Sequence, residues 1–183
     1  MKLRHLLLLF ISFFFVLPLY AEYFKHIGLS EGLTQPSVMA IYQDRLGRMW
    51  FGTKEGISQY DGNRVRIFKG WIKSVGEEPP VWLGNEVSFI VGDSLDNLYF
   101  LIDKNLIKYD IQTEKFSRLT NESIITALTS SEGQVWYMKH DSLFCLKADK
   151  EPTFVLKTNI TSRICCLTMM DDQIGIGTYN GVY

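Results

Sequence analysis

From residue 37 onward, apolar and polar positions change over short distances, and turn-forming residues separate the apolar runs. "SVMAIYQD" is rich in strand formers, "RLGR" supplies a turn, and "RMWFGT" and "ISQYD" flank the turn "KEG". In "RVRIF", arginines alternate with valine and isoleucine, which is the period of a half-buried strand. The pattern predicts four short antiparallel strands joined by tight turns, and no helix longer than one turn after residue 21.

This unit of four strands recurs along the chain. The aromatic position of Trp50 is occupied by Tyr99 in a second copy 49 residues later, and by Trp136 in a third copy a further 37 residues on. A fourth copy contains a Gly-Thr pair at Gly177, as the first copy does at Gly52. Imperfect repeats of about forty residues are typical of propeller blades and solenoids.

A sheet of four short strands cannot bury both of its faces alone, and stacking successive sheets around an axis removes that difficulty. The predicted fold is therefore all-β, an incomplete β-propeller of about three and a half four-stranded antiparallel blades preceded by a signal peptide. Trp50 and Trp136 are predicted to fill the space between blades. Truncation of either to alanine is predicted to lower the free energy of unfolding by about 3–5 kcal/mol. Gly52 and Gly177 are predicted to lie where backbones pass closely. A phosphate-binding loop is the poorer interpretation of this Gly-rich stretch, because such a loop would lead into a helix, whereas the stretch leads into another strand.

The repeats and the turn signals also predict the boundaries of the units. They are a signal peptide (1–21), a lead-in segment (22–36), blade 1 with an insertion (37–85), blade 2 (86–121), blade 3 (122–160) and a partial blade 4 (161–183). The lead-in segment resembles the outermost strand of a closing blade, because "EYFKHI" has the apolar spacing of "RIFKGW". Such an open arc has uncovered strand edges, so the isolated chain is expected to be oligomeric or poorly soluble.

The N-terminus has the order of parts that is typical of a secretory signal peptide. Lys2 and Arg4 precede an apolar run over residues 6–19, which is shorter than the ~20 residues that span a bilayer. We expect cleavage after Ala21, so that the exported chain begins near Glu22 and keeps no membrane span. An uncleaved anchor is the alternative.

Composition narrows the functional classes. The chain has 19 Lys and Arg against 20 Asp and Glu, and this balance without a basic cluster argues against nucleic-acid binding. His26 and His140 lack the spaced partners of a metal or nucleophile site, so no metal and no cofactor is expected. The cysteines Cys145, Cys165 and Cys166 are predicted to be buried apolar residues, with a bridge from Cys145 to one of the others left open.

The stretch "GLTQPSVMAIYQDRLGRMWFGTKEGISQYDG" resembles the periplasmic two-component-regulator propeller repeat, and "YFKHIGLSEGL" resembles the usual lead-in to its first blade. The later copies depart from it, with "YFLI" and "WYMK" in place of "WFGT". The resemblance implies the N-terminal part of the sensor domain of a hybrid two-component system histidine kinase of the Bacteroidetes type. It further implies a periplasmic, non-catalytic domain that senses saccharides or their breakdown products. The full-length parent would be a dimeric kinase in the inner membrane.

Candidate ligand-binding residues lie in the loops between second and third strands and in the insertion after the first repeat. They are Lys54, Glu55, Trp71, Trp82, Asp103 and His140. The alternative for each is structural: polar loops are common, and both tryptophans could pack against blade edges. Two other functions stay open at this point. One is a propeller-type glycosidase or lyase with Glu55 and Asp103 as facing carboxylates; the other is a purely structural or dimerisation unit.

Overall fold

The computed structural model describes residues 24–72, 81–120, 125–147, 150–170 and 173–183, and the predicted signal peptide lies outside these ranges. Within them, the chain forms successive antiparallel sheets and one short 3-10 helix, Leu29–Glu31. No helix in these ranges is long and apolar enough to cross a bilayer. The predicted all-β fold, an incomplete β-propeller, is confirmed.

The strands of the first blade are β1 (Val38–Gln43), β2 (Met49–Thr53), β3 (Gly56–Tyr60) and β4 (Val65–Phe68). A hairpin follows, made of β5 (Trp71–Ile72) and β6 (Val81–Trp82). The second blade contains β7 (Val87–Gly92), β8 (Asn97–Ile102), β9 (Asn105–Asp110) and β10 (Lys115–Arg118). The third contains β11 (Ile125–Ser131), β12 (Gln134–Lys139), β13 (Ser142–Lys147) and β14 (Thr153–Lys157). The fourth has three described strands, β15 (Ile164–Met170), β16 (Gln173–Thr178) and β17 (Gly181–Val182).

The blades pack face against face, with the first strand of each blade beside the first strand of the next. Three apolar clusters fill the three successive interfaces between blades. Trp50 of blade 1 is fully buried, and its ring centroid lies 5.7 Å from that of Phe100 and 5.1 Å from that of Tyr109, both in blade 2. The predicted filling role of Trp50 is therefore confirmed.

Trp136 occupies the same position in blade 3 as Trp50 does in blade 1, but it is only half-buried. It packs against the cluster shared by blades 3 and 4, to which blade 4 contributes aliphatic side chains such as Leu167 and Ile176. Aliphatic partners cover the indole less completely than the aromatic rings around Trp50 do. Truncation of Trp136 should therefore cost less than the 3–5 kcal/mol that its sequence position alone predicts.

Gly52 lies where two blades approach closely. A Cβ atom at this position would be 2.6 Å from Cγ1 of Val87, which belongs to the first strand of blade 2. The predicted close passage is thus confirmed for Gly52. At Gly177, the neighbour that an added Cβ would meet is the Sγ atom of Cys166, within the same blade.

We expect Gly52→Ala to lower the free energy of unfolding by about 1–3 kcal/mol, since the added methyl group overpacks the interface between blades. Urea denaturation measures the change. When Gly52→Ala is combined with Val87→Ala, which makes room for the methyl group, the two losses should be less than additive. Strictly additive losses would show that the glycine is not required by contact with Val87.

In blades 1 and 2, the Asp that follows the first strand closes the next turn. In blade 1, the carboxylate of Asp44 accepts hydrogen bonds from the backbone amides of Leu46 and Arg48, from Arg48 Nε and from Trp50 Nε1, at 2.7–3.0 Å. Asp93 makes the same kinds of contact in blade 2. Burial alone would raise the pKa of Asp44, but the hydrogen bonds from Trp50 and Arg48 outweigh it and hold the pKa below its usual value.

The threonine of each Gly-Thr pair stabilises the turn that follows it. The Oγ1 atom of Thr53 donates to the carbonyl of Gly56 at 3.1 Å and accepts from the amide of Glu55 at 3.0 Å. Thr178 makes the same two kinds of bond in the turn between β16 and β17. The Gly-rich stretch therefore closes hairpins, and it leads into a strand as predicted.

All three cysteines are free thiols. Cys145 is buried, as predicted, and burial raises the pKa of its thiol. The prediction is wrong for Cys165 and Cys166, which are exposed. Both lie on β15, the first strand of blade 4.

The lead-in segment forms no strand over residues 24–27 within the described ranges. The segment nevertheless rests on blade 1: Lys25 lies over the ring of Tyr60, and further along Thr34 Oγ1 lies 2.7 Å from Thr53 Oγ1. Pairing of this segment with a closing blade stays a prediction, as does association through uncovered faces.

Candidate ligand-binding cleft

A cleft of about 810 Å³ opens on the axial side of blades 2, 3 and 4. The first strands β7, β11 and β15 form its wall, and the turns after β8 and β16 form its rim. Its lining residues are Glu86, Ser88, Phe89, Leu101, Asp103, Lys104, Ile125, Thr126, Arg163, Ile164, Cys165 and Tyr179. This volume lies within the range of small-molecule sites, roughly 300–1,000 Å³.

Two residues at the rim are held by equivalent backbone hydrogen bonds, one in blade 2 and one in blade 4. Glu86 and Arg163 each come directly before the first strand of a blade, and each carbonyl accepts an amide hydrogen bond from the turn beside it. The donors are Asp103 at 3.0 Å and Tyr179 at 3.3 Å. Repetition of the blade thus places one acidic and one basic side chain at corresponding points of the rim.

The charged groups of the rim are available to a ligand. Among the described residues, no ion pair engages Glu86, Lys104 or Arg163. The guanidinium of Arg163 lies 5.7 Å from the ring centroid of Tyr179, so the two side chains stack at one end of the cleft. The cleft therefore offers hydrogen-bond donors, the carboxylate of Glu86 and a flat aromatic face.

Asp103, a predicted ligand contact, lines the cleft, and its carboxylate also bonds to the backbone. Its two oxygens accept hydrogen bonds from the backbone amides of Asn85 and Glu86, at 2.9 and 3.0 Å. Asp103 and Lys104 both have positive φ angles, 47° and 63°, which make a tight turn. Asp103 therefore fixes the chain before β7, and both Asp103 and Lys104 line the cleft.

The other predicted residues do not line this cleft. Lys54, Glu55 and His140 lie in turns of blades 1 and 3, and the two insertion tryptophans lie on the β5–β6 hairpin. Sequence reasoning missed Glu86 and Arg163. The sequence signal that could have identified them is their position, since each comes immediately before the first strand of a repeat.

The stacked sheets and the axial cleft define the class: the chain is part of a β-propeller. Residues 32–55, in the lead-in segment and blade 1, match the sequence model of the two component regulator propeller. The predicted resemblance to that family is therefore confirmed over these residues.

Known proteins share parts of this chain. Histidine kinase P4 of Formosa agariphila is 39% identical over 46 residues, which are 25% of this chain and 3% of the kinase. The extracellular domain of a hybrid two-component system from B. thetaiotaomicron has a TM-score of 0.68 at 21% identity, over 84% of this chain and 24% of that domain. A streptogramin B lyase has a TM-score of 0.57 at 19% identity, over 84% of this chain and 56% of the lyase. At these identities, the two structural similarities concern the fold. The chain spans only a small part of the kinase and about a quarter of that extracellular domain.

Proposed function

We propose that this chain is part of an extracytoplasmic sensor domain of a hybrid two-component signalling protein, and that it binds a saccharide or a saccharide breakdown product in the axial cleft without catalysis. The full-length protein would be a dimeric histidine kinase in the inner membrane, with this part in the periplasm. The propeller repeat in blade 1 and the likeness to extracellular domains of two-component systems support this assignment.

The cleft is the observation that carries the ligand proposal. Hydroxyl groups of a small sugar can accept hydrogen bonds from Lys104 and Arg163 and donate to Glu86, while Tyr179 offers a flat surface to the ring. Because these groups come from blades 2 and 4, one ligand would contact both blades.

The rival function is a propeller-type glycosidase or lyase. A glycosidase needs two free carboxylates roughly 5–9.5 Å apart across the substrate. Of the predicted pair, Glu55 lies outside the cleft lining, and both oxygens of Asp103 accept backbone amides. This arrangement favours binding without hydrolysis. Release of reducing ends from oligosaccharides by the purified chain would favour the enzyme instead.

We expect Arg163→Ala and Lys104→Ala each to weaken saccharide binding about 10-fold or more, because each removes a charged hydrogen-bond donor. Isothermal titration calorimetry with a panel of neutral and acidic mono- and disaccharides measures the effect. Lys54→Ala is the matched control, since Lys54 occupies the corresponding turn of blade 1 outside the cleft. Binding that survives both cleft substitutions, or no binding by any sugar in the panel, would contradict the proposed site.

A further inference from the structure

The link between blades 1 and 2 carries a small hairpin of its own. Strand β5 pairs with β6, so that Trp71 lies opposite Trp82 and Ile72 opposite Val81. Ile72 and Val81 are partly buried and pack against the core shared by blades 1 and 2. The two tryptophans alternate with them and therefore project from the other face of the hairpin.

Trp71 is exposed to an extent that packing does not explain, and Trp82 beside it keeps part of its ring in solvent. The exposed fraction is 67% for Trp71 and 38% for Trp82, whereas Trp50 is completely buried. Packing against a blade edge, the structural alternative, accounts for the covered part of Trp82, but it would hide most of Trp71, which is two-thirds exposed. Large aromatic surfaces left in solvent side by side are typical of binding sites.

The pair is also held in place before any ligand arrives. The ring centroids of Trp71 and Trp82 lie 5.3 Å apart with an interplanar angle of 55°. The carbonyl of Trp82 accepts a hydrogen bond from Arg118 Nη2 at 2.6 Å, and the amide of Leu83 donates to the carbonyl of Gly70 at 3.0 Å. The hydrogen bonds fix the backbone that carries the rings, and the contact between the rings restricts both side chains, which reduces the conformational entropy lost on binding.

The chemistry of the site suits a sugar ring. A pyranose presents C–H groups on its faces, which pack on an indole ring, and hydroxyl groups at its edge. A guanidinium has five N–H donors, and Arg118 uses one of them on Trp82, so others can reach hydroxyl groups beside the rings.

We propose that Trp71, Trp82 and Arg118 form a second saccharide site, which binds a polysaccharide chain on the outside of the propeller. None of the three lines the axial cleft. This site would hold the polymer while the cleft receives a smaller sugar. It does not depend on the cleft, so each can fail without the other.

Affinity electrophoresis of the full chain through gels that contain a soluble β-glucan, a xylan, a mannan or polygalacturonate tests the proposal. At least one polymer should retard the chain, and Trp71→Ala should weaken that binding about 10-fold. Trp71→Tyr should bind within about 3-fold of the unchanged chain, because it keeps a flat aromatic face. Phe154→Ala is the matched control, since Phe154 is a similarly exposed aromatic residue on the outer strand of blade 3.

The variants also separate the two sites. Lys104→Ala and Arg163→Ala should leave polymer binding unchanged, and Trp71→Ala should leave binding of small sugars in the cleft unchanged. The proposal is overturned if none of the four polymers retards the chain, or if Trp71→Ala is retarded as strongly as the unchanged chain. It is also overturned if Trp71→Ala instead abolishes self-association measured by light scattering, because the pair would then be a protein interface.

Discussion

Replacement of Trp50 by alanine should lower the free energy of unfolding by about 3–5 kcal/mol, the largest loss expected from any single core truncation in this chain. The indole is fully buried between blades 1 and 2, where it contacts the rings of Phe68, Phe100 and Tyr109. Its removal leaves a cavity that two β-sheets cannot easily collapse to fill. Urea denaturation followed by far-UV circular dichroism measures the change.

The chain provides a matched control for this substitution. Trp71→Ala removes the same side chain from an exposed position and should change the free energy of unfolding by no more than about 0.5 kcal/mol. Equal losses from Trp50→Ala and Trp71→Ala would mean that burial between blades is not what makes Trp50 important.

Removal of the carboxylate of Asp44 should be nearly as costly. We expect Asp44→Ala to lower the free energy of unfolding by about 3–5 kcal/mol, because it leaves the charged Arg48 side chain and the indole N–H of Trp50 without their buried acceptor. Asp44→Asn should lose less, because its carbonyl oxygen can still accept from the turn amides, although its NH₂ group would face other donors.

The difference in stability between the unchanged chain and Asp44→Asn should depend on pH. The pKa of Asp44 is lower in the folded chain than its ordinary value, so the carboxylate stabilises the fold above about pH 4. This stabilisation is lost as the pH falls through the folded-state pKa. The difference in stability between the unchanged chain and Asp44→Asn should therefore shrink between about pH 5 and pH 3. A difference that stays constant over this range would show that the charge of Asp44 does not carry the effect.

Local chemistry made much of the fold predictable. The alternation of apolar residues fixed the strands, and the Asp, Gly and Thr residues of the turns bond to their own backbone, as the side-chain hydrogen bonds of Asp44 and Thr53 show. Such signals act over a few residues, so they can be read from a single sequence.

The cleft was less predictable because it depends on residues far apart in the chain. Lys54, Lys104 and His140 occupy corresponding turns, yet only Lys104 faces the cleft. Asp103 lines the cleft as a predicted ligand contact, and its carboxylate also accepts hydrogen bonds from the backbone amides before β7, which the sequence does not indicate. Which polar side chain is free and which is already bonded is set by these distant partners.

The amino-acid sequence by itself determined the repeat, the strands, the turn chemistry and the aromatic filler at Trp50, because each follows from residue type and local spacing. Only the tertiary structure decided which equivalent positions are covered. Ile41 and Ile90 share one repeat position, but Ile90 is 7% exposed and Ile41 is 59% exposed. Blade 1 packs over Ile90, whereas no described part of the chain covers Ile41. Burial depends on the neighbouring blade, and a repeat specifies its own strands without specifying what stands beside them.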